Sequence, residues 1–313
     1  MAGMSTPSIP VRPAYDVVVV GAGVAGLAAA AVLGRCHQQV LVAGGTGRAN
    51  SSATEVHNLP YAEGVAPGRL YAAMEAELAR AGIPVLREEV RRVGPGRTAA
   101  ELTVHTGTTA LTASRLLLAT GARHELPGWV PAGAWGRSVF DCPFCHAYEH
   151  TGEDFAVVGK GVRAVETALL CVAGSRSMTV LVRDPAATTG SAAERLRGAG
   201  GGIAVDTVRD AALRPDGVVE LRTAGDRQVR AGAVLLTGTL RPRADLAEQL
   251  CLRMESPGIP DLDADGRSSH PLVWVAGMAA SPQQVLAESM AGGIRAGMAI
   301  HKDLALGAPA GGH

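Results

Sequence analysis

The stretch Asp16-Val17-Val18-Val19-Val20-Gly21-Ala22-Gly23-Val24-Ala25-Gly26 runs from four consecutive valines directly into a glycine-rich turn. An unbroken β-branched run of this kind is typical of a strand that is buried on both faces of a parallel sheet. The alanine-rich residues that follow, to about Leu33, predict a helix, and residues 39–42 predict a second strand. The order strand, turn, helix, strand decides the fold of this part of the chain.

The turn has the G-x-G-x-x-G spacing at Gly21, Gly23 and Gly26. In a dinucleotide-binding unit the first glycine allows the tight turn, the second lets the backbone approach a pyrophosphate, and the third lets the helix pack on the strand. A glycine-rich turn that binds no ligand is the alternative. The acid that commonly follows the second strand is replaced by Ala43-Gly44-Gly45, so a ribose would be bound by backbone or by other side chains.

A second unit of the same kind follows in the middle of the chain. Residues 155–158 and 178–182 predict strands, and Gly159, Gly161 and Ala164 form the turn between the first of them and a helix that reaches about Cys171. Two such units indicate either that the protein binds two dinucleotides, or that it binds one and the other unit is a vestige of a binding site. The chain is therefore predicted to be an α/β protein with two Rossmann-like, three-layer ββα nucleotide-binding domains.

The domain boundaries follow from composition and from the C-terminal segment. Residues 126–139 are rich in Pro, Gly and Trp and predict a connector, whereas residues 271–278 and 283–301 predict a strand and a small-residue helix that return to the first domain. We predict a discontinuous first domain of residues 14–125 and 243–313, and a second domain of residues 126–242. Residues 1–13 are predicted to be a disordered tail.

Composition narrows the classes of function. The 313 residues carry 29 basic and 29 acidic side chains, so no basic surface indicates a nucleic acid or an anionic membrane as partner. No apolar run is long enough to span a bilayer, and the N-terminus has no signal core. We therefore expect a cytoplasmic protein, in a compartment where thiols stay reduced.

The segment Asp141-Cys142-Pro143-Phe144-Cys145-His146-Ala147-Tyr148-Glu149-His150 carries the chemistry. A Cys-x-x-Cys pair can close a disulfide, and its thiolate is often reactive near neutral pH. Pro143 suits the first turn of a helix, which places Cys142 at a helix N-terminus, where the dipole favours a thiolate. The neighbouring carboxylate of Asp141 disfavours the anion.

A zinc site and a structural disulfide are the alternatives to a redox-active cysteine pair, and both are less favoured. Half of a zinc site would need further ligands that the sequence does not offer, so no metal is predicted. A structural disulfide is disfavoured because nothing marks the chain for secretion. Cys36, Cys171 and Cys251 stand alone in apolar surroundings and are predicted to be buried core thiols.

The order of motifs resembles that of the low-molecular-weight thioredoxin reductases, over residues 15–306. The resemblance implies FAD in the first domain, a catalytic disulfide carried by the second domain, and a homodimer. Within the pair it implies that Cys145 faces the flavin, that Cys142 exchanges with substrate, and that His146 stands where the family has an acid/base aspartate. The residues that it places at the flavin dinucleotide are Gly21, Gly23, Gly26, Asn58, Thr120, Gly121, Gly277, Met278 and Gln284.

The Cys-Pro-x-Cys-His-x-Tyr-Glu pattern resembles one branch of that family, the flavin-dependent dithiol oxidases, which close disulfides in small natural products and pass the electrons to oxygen. Residues 48–52 and 56–58 also resemble this branch. We therefore predict an FAD-dependent dithiol oxidase that acts on a small-molecule dithiol. His146 would deprotonate the incoming thiol, and Glu149 and His150 are possible second members of the relay. A satisfied or surface histidine is the alternative for His57 and the preferred interpretation of His150.

Two departures from the family keep other functions open. An NADPH-dependent thioredoxin reductase would need a cluster of arginines after the strand 178–182, and the sequence offers only Arg183 beside Asp184, which argues against NADPH. Met278 stands where the family has an aspartate that binds the flavin, and it cannot supply that hydrogen bond. A flavin-free thiol–disulfide exchange or binding protein on the same fold is the third possibility.

Overall fold

The computed structural model describes residues 10–45, 47–281 and 285–307, and it divides into two compact units. Of these described residues, the first unit takes those within 1–51, 68–123 and 241–313, and the second takes those within 52–67 and 124–240. The sequence-based boundaries had left residues 52–67 in the first domain, whereas in the structure they pack with the second unit. Residues 1–9 of the predicted tail and Gln284 lie outside the described residues.

The first unit begins with the predicted strand–turn–helix–strand order. The elements that precede the long segment of the second unit are β1 (Ala14–Val20), α1 (Val24–Arg35), β2 (Val40–Ala43), α2 (Pro67–Arg80), β3 (Val85–Leu86), β4 (Arg92–Pro95), β5 (Leu102–His105), β6 (Ala110–Leu118) and β7 (Ala122–His124). Strand β3 pairs in parallel with β2, whereas β4, β5 and β6 pair with one another in antiparallel order.

The second unit holds the second nucleotide-type motif and the cysteine pair. Its elements are β8 (Val139–Phe140), α3 (Pro143–His146), β9 (Asp154–Gly159), α4 (Gly161–Cys171), β10 (Ser177–Val182), α5 (Ser191–Gly198), β11 (Gly202–Val205), β12 (Val208–Leu213), β13 (Val219–Thr223), β14 (Gln228–Ala231) and β15 (Ala233–Leu236). The parallel sheet has the order β11-β10-β9-β15-β8, and β12-β13-β14 form a separate antiparallel sheet.

The chain then returns to the first unit. These elements are β16 (Leu240–Pro242), α6 (Asp245–Gln249), β17 (Met254–Ser256), β18 (Ile259–Pro260), β19 (Val273–Val275) and α7 (Leu286–Leu306). Strand β19 pairs in parallel with β6 and completes a sheet of seven strands within the described residues. Helix α7 crosses α1 closely, because a Cβ at Gly293 would lie only 2.1 Å from the carbonyl oxygen of Ala25.

The valines of β1 show why this strand is central. Val17 and Val19 pack into a cluster with α1, α2 and α7, whereas Val18 and Val20 pack into a second cluster with β4, β5 and α6. Both faces of the strand are thus buried, as an unbroken β-branched run predicts. The second unit repeats the three layers, since Val157 of β9 faces α4 and α5 while the adjacent Ala156 faces β13 and β14. The predicted α/β fold with two Rossmann-like units is confirmed.

None of the helices within residues 10–45, 47–281 and 285–307 combines the length and the hydrophobicity that a transmembrane span requires.

Candidate functional site

The glycines of the first turn differ in the space around them. Gly21 has φ +116°, and a Cβ on it would lie 2.1 Å from the carbonyl oxygen of Ala119 at the end of β6. A Cβ at Gly26 would lie 2.0 Å from the carbonyl oxygen of Gly21, whereas a Cβ at Gly23 would meet nothing within 4 Å. The turn is therefore crowded at Gly21 and Gly26 and open at Gly23. Gly23 also precedes α1, whose first turn holds no acidic residue and can accept an anion.

A polar cluster lies beside this turn. The Nε of Arg48 donates to the carbonyl oxygen of Ala22 at 3.2 Å, and its guanidinium pairs with Glu75 at 2.5 Å. The same guanidinium lies 4.1 Å from the ring centre of Tyr71, whose pKa is raised chiefly by burial. Gly44, where the ribose acid was missing, has no room for a side chain, since a Cβ would lie 2.8 Å from the nitrogen of Ala22. A carboxylate does lie beside this turn, but it belongs to Glu75 of α2, the partner of Arg48.

The other predicted flavin-binding residues of the first unit lie in two turns at strand ends. Thr120 donates its hydroxyl to the carbonyl oxygen of Arg243 at 2.9 Å, and the carbonyl oxygen of Gly121 accepts from the nitrogen of Arg243 at 3.0 Å. Gly277 has φ +67° and lies against α1, because a Cβ on it would be 2.8 Å from the Cβ of Ala25. Met278 follows in a 3₁₀ turn and is half-buried.

The second nucleotide-type turn is also intact. Gly159 packs so closely on Thr237 that a Cβ would lie 1.9 Å from its hydroxyl oxygen, and Gly161 has φ +59° at the start of α4. Ala164 is fully buried. Beyond β10, however, Asp184 caps a 3₁₀ turn by accepting from the nitrogen of Ala186 at 2.9 Å. This carboxylate stands beside Arg183 and disfavours a 2′-phosphate at that strand end.

Cys142 and Cys145 form a disulfide with a Cα–Cα distance of 5.3 Å. As predicted, Cys142 is the N-cap residue of a helix, α3, that begins at Pro143. The remaining thiols differ from the prediction of three buried core cysteines. Cys171 is buried, and burial raises its pKa to about 11. Cys36 is only half-buried and Cys251 is exposed, so the prediction is wrong for Cys251.

His146 lies directly after the disulfide and is held by packing rather than by hydrogen bonds. Its ring stacks on Phe140 with 5.3 Å between the ring centres. Both ring nitrogens are buried, and neither has a hydrogen-bond partner among the described residues. Burial lowers the pKa of His146 below its ordinary value, and the negative charges of Glu149 and Asp141 oppose that shift. The ring is therefore largely neutral near pH 7 and able to accept a proton.

A second histidine reaches the same segment from the loop of residues 52–67. His57 places Nδ1 2.6 Å from a carboxylate oxygen of Glu63 and Nε2 3.5 Å from a carboxylate oxygen of Glu149. The hydrogen bond from His57 is the chief cause of the lowered pKa of Glu63. The adjacent Asn58 donates to the carbonyl oxygen of Phe144 at 2.7 Å. The sequence marks His57 only as part of the stretch 56–58 that resembles the dithiol oxidases, and its contact with Glu149 could not be predicted, because a single histidine in a loop carries no pattern.

His150 has partners on both ring nitrogens. Nδ1 lies 2.7 Å from Glu153, and Nε2 lies 3.2 Å from the carbonyl oxygen of Arg137. The ring stacks on Phe140 as well. These contacts describe a satisfied histidine, which is the interpretation that the sequence favoured.

A family model for pyridine nucleotide-disulphide oxidoreductases matches residues 15–293. The chain therefore belongs to the pyridine nucleotide-disulphide oxidoreductase family, whose members are flavin-dependent oxidoreductases that bind FAD. The first unit fits that cofactor, with an open backbone position at Gly23 and a helix N-terminus free of acids behind it. Gly21, Gly23 and Gly26 would hold the pyrophosphate, and Arg48 and Glu75 lie where polar contacts could replace the missing ribose acid.

Similarity to individual proteins places the chain among thioredoxin reductase-like members of this family. Thioredoxin reductase from Mycolicibacterium smegmatis is 33% identical over 178 residues, which cover 54% of this chain and 55% of that protein. Thioredoxin reductase tcpT from Claviceps purpurea is 31% identical over 166 residues, 50% of this chain and 49% of that protein. The chain spans about half the length of the curated relatives it matches. The crystal structure of HlmI is similar over 96% of this chain and 95% of that one, with a TM-score of 0.87 and 28% identity.

Proposed function

We propose that this protein is an FAD-dependent dithiol oxidase that forms a disulfide in a small-molecule dithiol, with oxygen as the final electron acceptor. The observation that carries the proposal is the position of His146. A buried imidazole with two unpartnered nitrogens follows the Cys142–Cys145 disulfide immediately. Buried polar atoms normally have partners, so an unpartnered imidazole beside the disulfide marks a candidate proton acceptor for the thiol chemistry.

The thiol chemistry needs two exchange steps. A substrate thiolate attacks the Sγ of Cys142, a mixed disulfide forms, and Cys145 leaves as a thiolate. The second substrate thiol, deprotonated in turn, attacks the substrate sulfur of the mixed disulfide and displaces Cys142. The substrate leaves oxidised by two electrons and the protein pair is reduced. When bound, FAD supplies a two-electron acceptor that reoxidises the pair and passes the electrons to oxygen.

The acid–base groups are His146 and the carboxylates near it. His146 accepts the proton of the incoming thiol, and the charge of Glu149 stabilises the imidazolium that results. Glu149 faces His57, which in turn pairs with the exposed Glu63. Glu149, His57 and Glu63 are thus linked to one another out to the solvent, whereas His146 forms no hydrogen bond among the described residues, so its proton would reach Glu149 after a side-chain rotation or through water.

A disulfide reductase is the second candidate, because the turn at Gly159, Gly161 and Ala164 is intact and relatives of this chain are named thioredoxin reductases. The oxidase is preferred since Asp184 stands beside the only arginine at the end of β10 in the sequence. We further propose that the protein is a cytoplasmic homodimer.

The visible spectrum of the purified protein tests the proposal. Under anaerobic conditions the flavin absorbance should persist with NADPH, bleach with a small dithiol, and recover in air. Bleaching by NADPH would make the protein a reductase. A colourless protein that does not take up FAD would leave the flavin-free alternative.

A further inference from the structure

In the described part of the chain, the exposed aromatic side chains lie on the segment that carries the disulfide and on a loop that contacts this segment. Among the described residues the large exposed aromatics are Tyr61, Phe144 and Tyr148, with relative exposures of 108%, 65% and 86%. The other tyrosines and phenylalanines are buried, and they are Tyr15, Tyr71, Phe140 and Phe155. In a chain with only 3% aromatic residues, this distribution sets one part of the surface apart from the rest. Scattered single apolar residues on a surface are ordinary, but three rings on two contacting segments indicate a binding surface.

Both segments lie next to the reactive pair. Phe144 is inside the Cys-x-x-Cys sequence, and Tyr148 follows Cys145 by three residues. Tyr61 belongs to the loop of residues 52–67, which contacts the cysteine segment twice. Asn58 donates to the carbonyl oxygen of Phe144 at 2.7 Å, and His57 lies 3.5 Å from Glu149.

Tyr61 has an unfavourable backbone conformation, and its exposed side chain gains no packing energy that would offset the strain. Its φ is +66°, in the left-handed region that bulky side chains rarely adopt. The turn is closed by a hydrogen bond from the nitrogen of Ala62 to the carbonyl oxygen of Leu59, while the tyrosine ring is fully exposed. Backbone strain of this kind is concentrated at ligand-contacting sites.

We propose that Tyr61, Phe144 and Tyr148 bind the apolar, ring-containing body of the dithiol substrate while its sulfurs react at Cys142. This inference rests on the proposed function and adds the class of substrate. The three rings offer about 500 Å² of surface if each carries its usual area. A standard protein partner covers about 800 Å², so a small molecule fits the surface better. The carboxylates of Glu63 and Glu149 on the same segments favour a neutral or cationic substrate over an anionic one.

The test compares two dithiol probes, 1,2-benzenedimethanethiol and dithiothreitol, which differ in the presence of a ring. Anaerobic reduction of the Cys142–Cys145 disulfide is stopped with N-ethylmaleimide and followed by mass spectrometry, which needs no flavin signal. Phe144→Ala, Tyr148→Ala and Tyr61→Asn should each lower the rate constant for the aromatic probe by about fivefold to tenfold. The rate constant for dithiothreitol should stay within about twofold, because that probe gains nothing from stacking. Asparagine tolerates the positive φ at position 61.

Leu170→Ser is the matched control, since Leu170 is 60% exposed on α4, outside both segments, and should change neither rate. Equal losses with both probes would show that the rings only shape the disulfide, and unchanged rates would show that they bind nothing; either result overturns the proposal. So would dissociation of a dimer by the ring variants in light scattering, or a faster reaction with reduced thioredoxin that the variants lose. If NADPH bleaches the protein, the oxidase assignment fails while the selectivity between the two probes can still be read.

Discussion

The side-chain nitrogen of Asn58 donates a 2.7 Å hydrogen bond to the backbone oxygen of Phe144, the residue between Pro143 and Cys145. Helix α3 has only four residues, so its carbonyl groups largely lack partners within the helix. Asn58 satisfies one of them from a different segment of the chain. It does so with φ +57°, a conformation that asparagine tolerates better than most residues. The loop and the redox helix are therefore coupled through one side chain.

Two substitutions of Asn58 should separate the contribution of its hydrogen bond to stability from the cost of its backbone conformation. Asn58→Gly removes the hydrogen bond but accepts the positive φ, and we expect a loss of about 1 kcal/mol in the free energy of unfolding. Asn58→Ala adds strain in the left-handed region and should lose about 1 kcal/mol more. Urea denaturation measures both values. If the alanine variant is as stable as the glycine variant, the backbone conformation of residue 58 carries no cost.

Cys142→Ser and Cys145→Ser should each abolish turnover of a dithiol, because the mechanism needs both sulfurs. The two variants differ in what they trap. With Cys145→Ser, the thiol of Cys142 should form a stable mixed disulfide with an acyclic disulfide of a monothiol, since neither the protein pair nor the bound half of the probe then carries a second thiol to resolve it. Mass spectrometry of the protein reads the adduct. Cys251→Ser is the control, an exposed cysteine of the first unit that should change nothing. Full activity in either variant of the pair would end the proposed mechanism.

The sequence predicts what is local and periodic. The valines of β1, the spacing of Gly21, Gly23 and Gly26, and Pro143 after Cys142 each define a structure within a few residues, and the structure confirms each of them. The two Rossmann-like units follow from the order of such signals along the chain.

Contacts that join distant segments leave no such pattern. Residues 52–67 join the second unit, and within it polar contacts from His57 and Asn58 reach the cysteine segment, neither part of any periodicity. Cys251 has apolar neighbours in sequence, yet it lies exposed with φ +51° just after α6, where the chain turns. Glu75 lies beside the first turn through Arg48, although it comes from α2 rather than from the end of β2.

His57 should matter for the rate of thiol exchange, because it stands between Glu63 and Glu149. His57→Gln should slow the reduction of the Cys142–Cys145 disulfide by dithiothreitol by about tenfold, less than the loss of a direct general base. His150→Gln removes a histidine of the same segment that already has its own partners, Glu153 and the carbonyl oxygen of Arg137, and should leave the rate near that of the wild type. Equal rates in the two variants would remove His57 from the proton route.

The stability of the protein should fall as the pH is lowered through 6.5, in part because of His146. Burial lowers the pKa of His146 in the folded state below 6.5, so the unfolded chain binds more protons in the window just below that pH. Its contribution is therefore present above the unfolded pKa and is lost as the pH falls. His146→Gln cannot titrate and should show a shallower decline in the free energy of unfolding between about pH 7 and pH 5. His270, whose pKa burial also lowers, contributes equally to both proteins and cancels in the comparison. Parallel curves would show that His146 is not desolvated.

Met278 tests how this chain holds its flavin. The residue follows Gly277, whose positive φ turns the chain away from β19 beside the start of α1, so its side chain lies at the same end of the sheet as the first glycine turn. Met278→Asp restores a hydrogen-bond acceptor at the position where the family has one, and it should tighten FAD binding about tenfold, the effect of one hydrogen bond of ordinary strength. Fluorescence titration of the deflavinated protein measures the dissociation constant directly.

Met278→Leu keeps an apolar side chain of similar size and should leave that constant unchanged, so a gain in the aspartate variant alone would come from the carboxylate. An unchanged affinity in Met278→Asp would mean that the flavin is already held fully by other groups, and the polar cluster of Arg48 and Glu75 beside Ala22 would then be the first place to look for them.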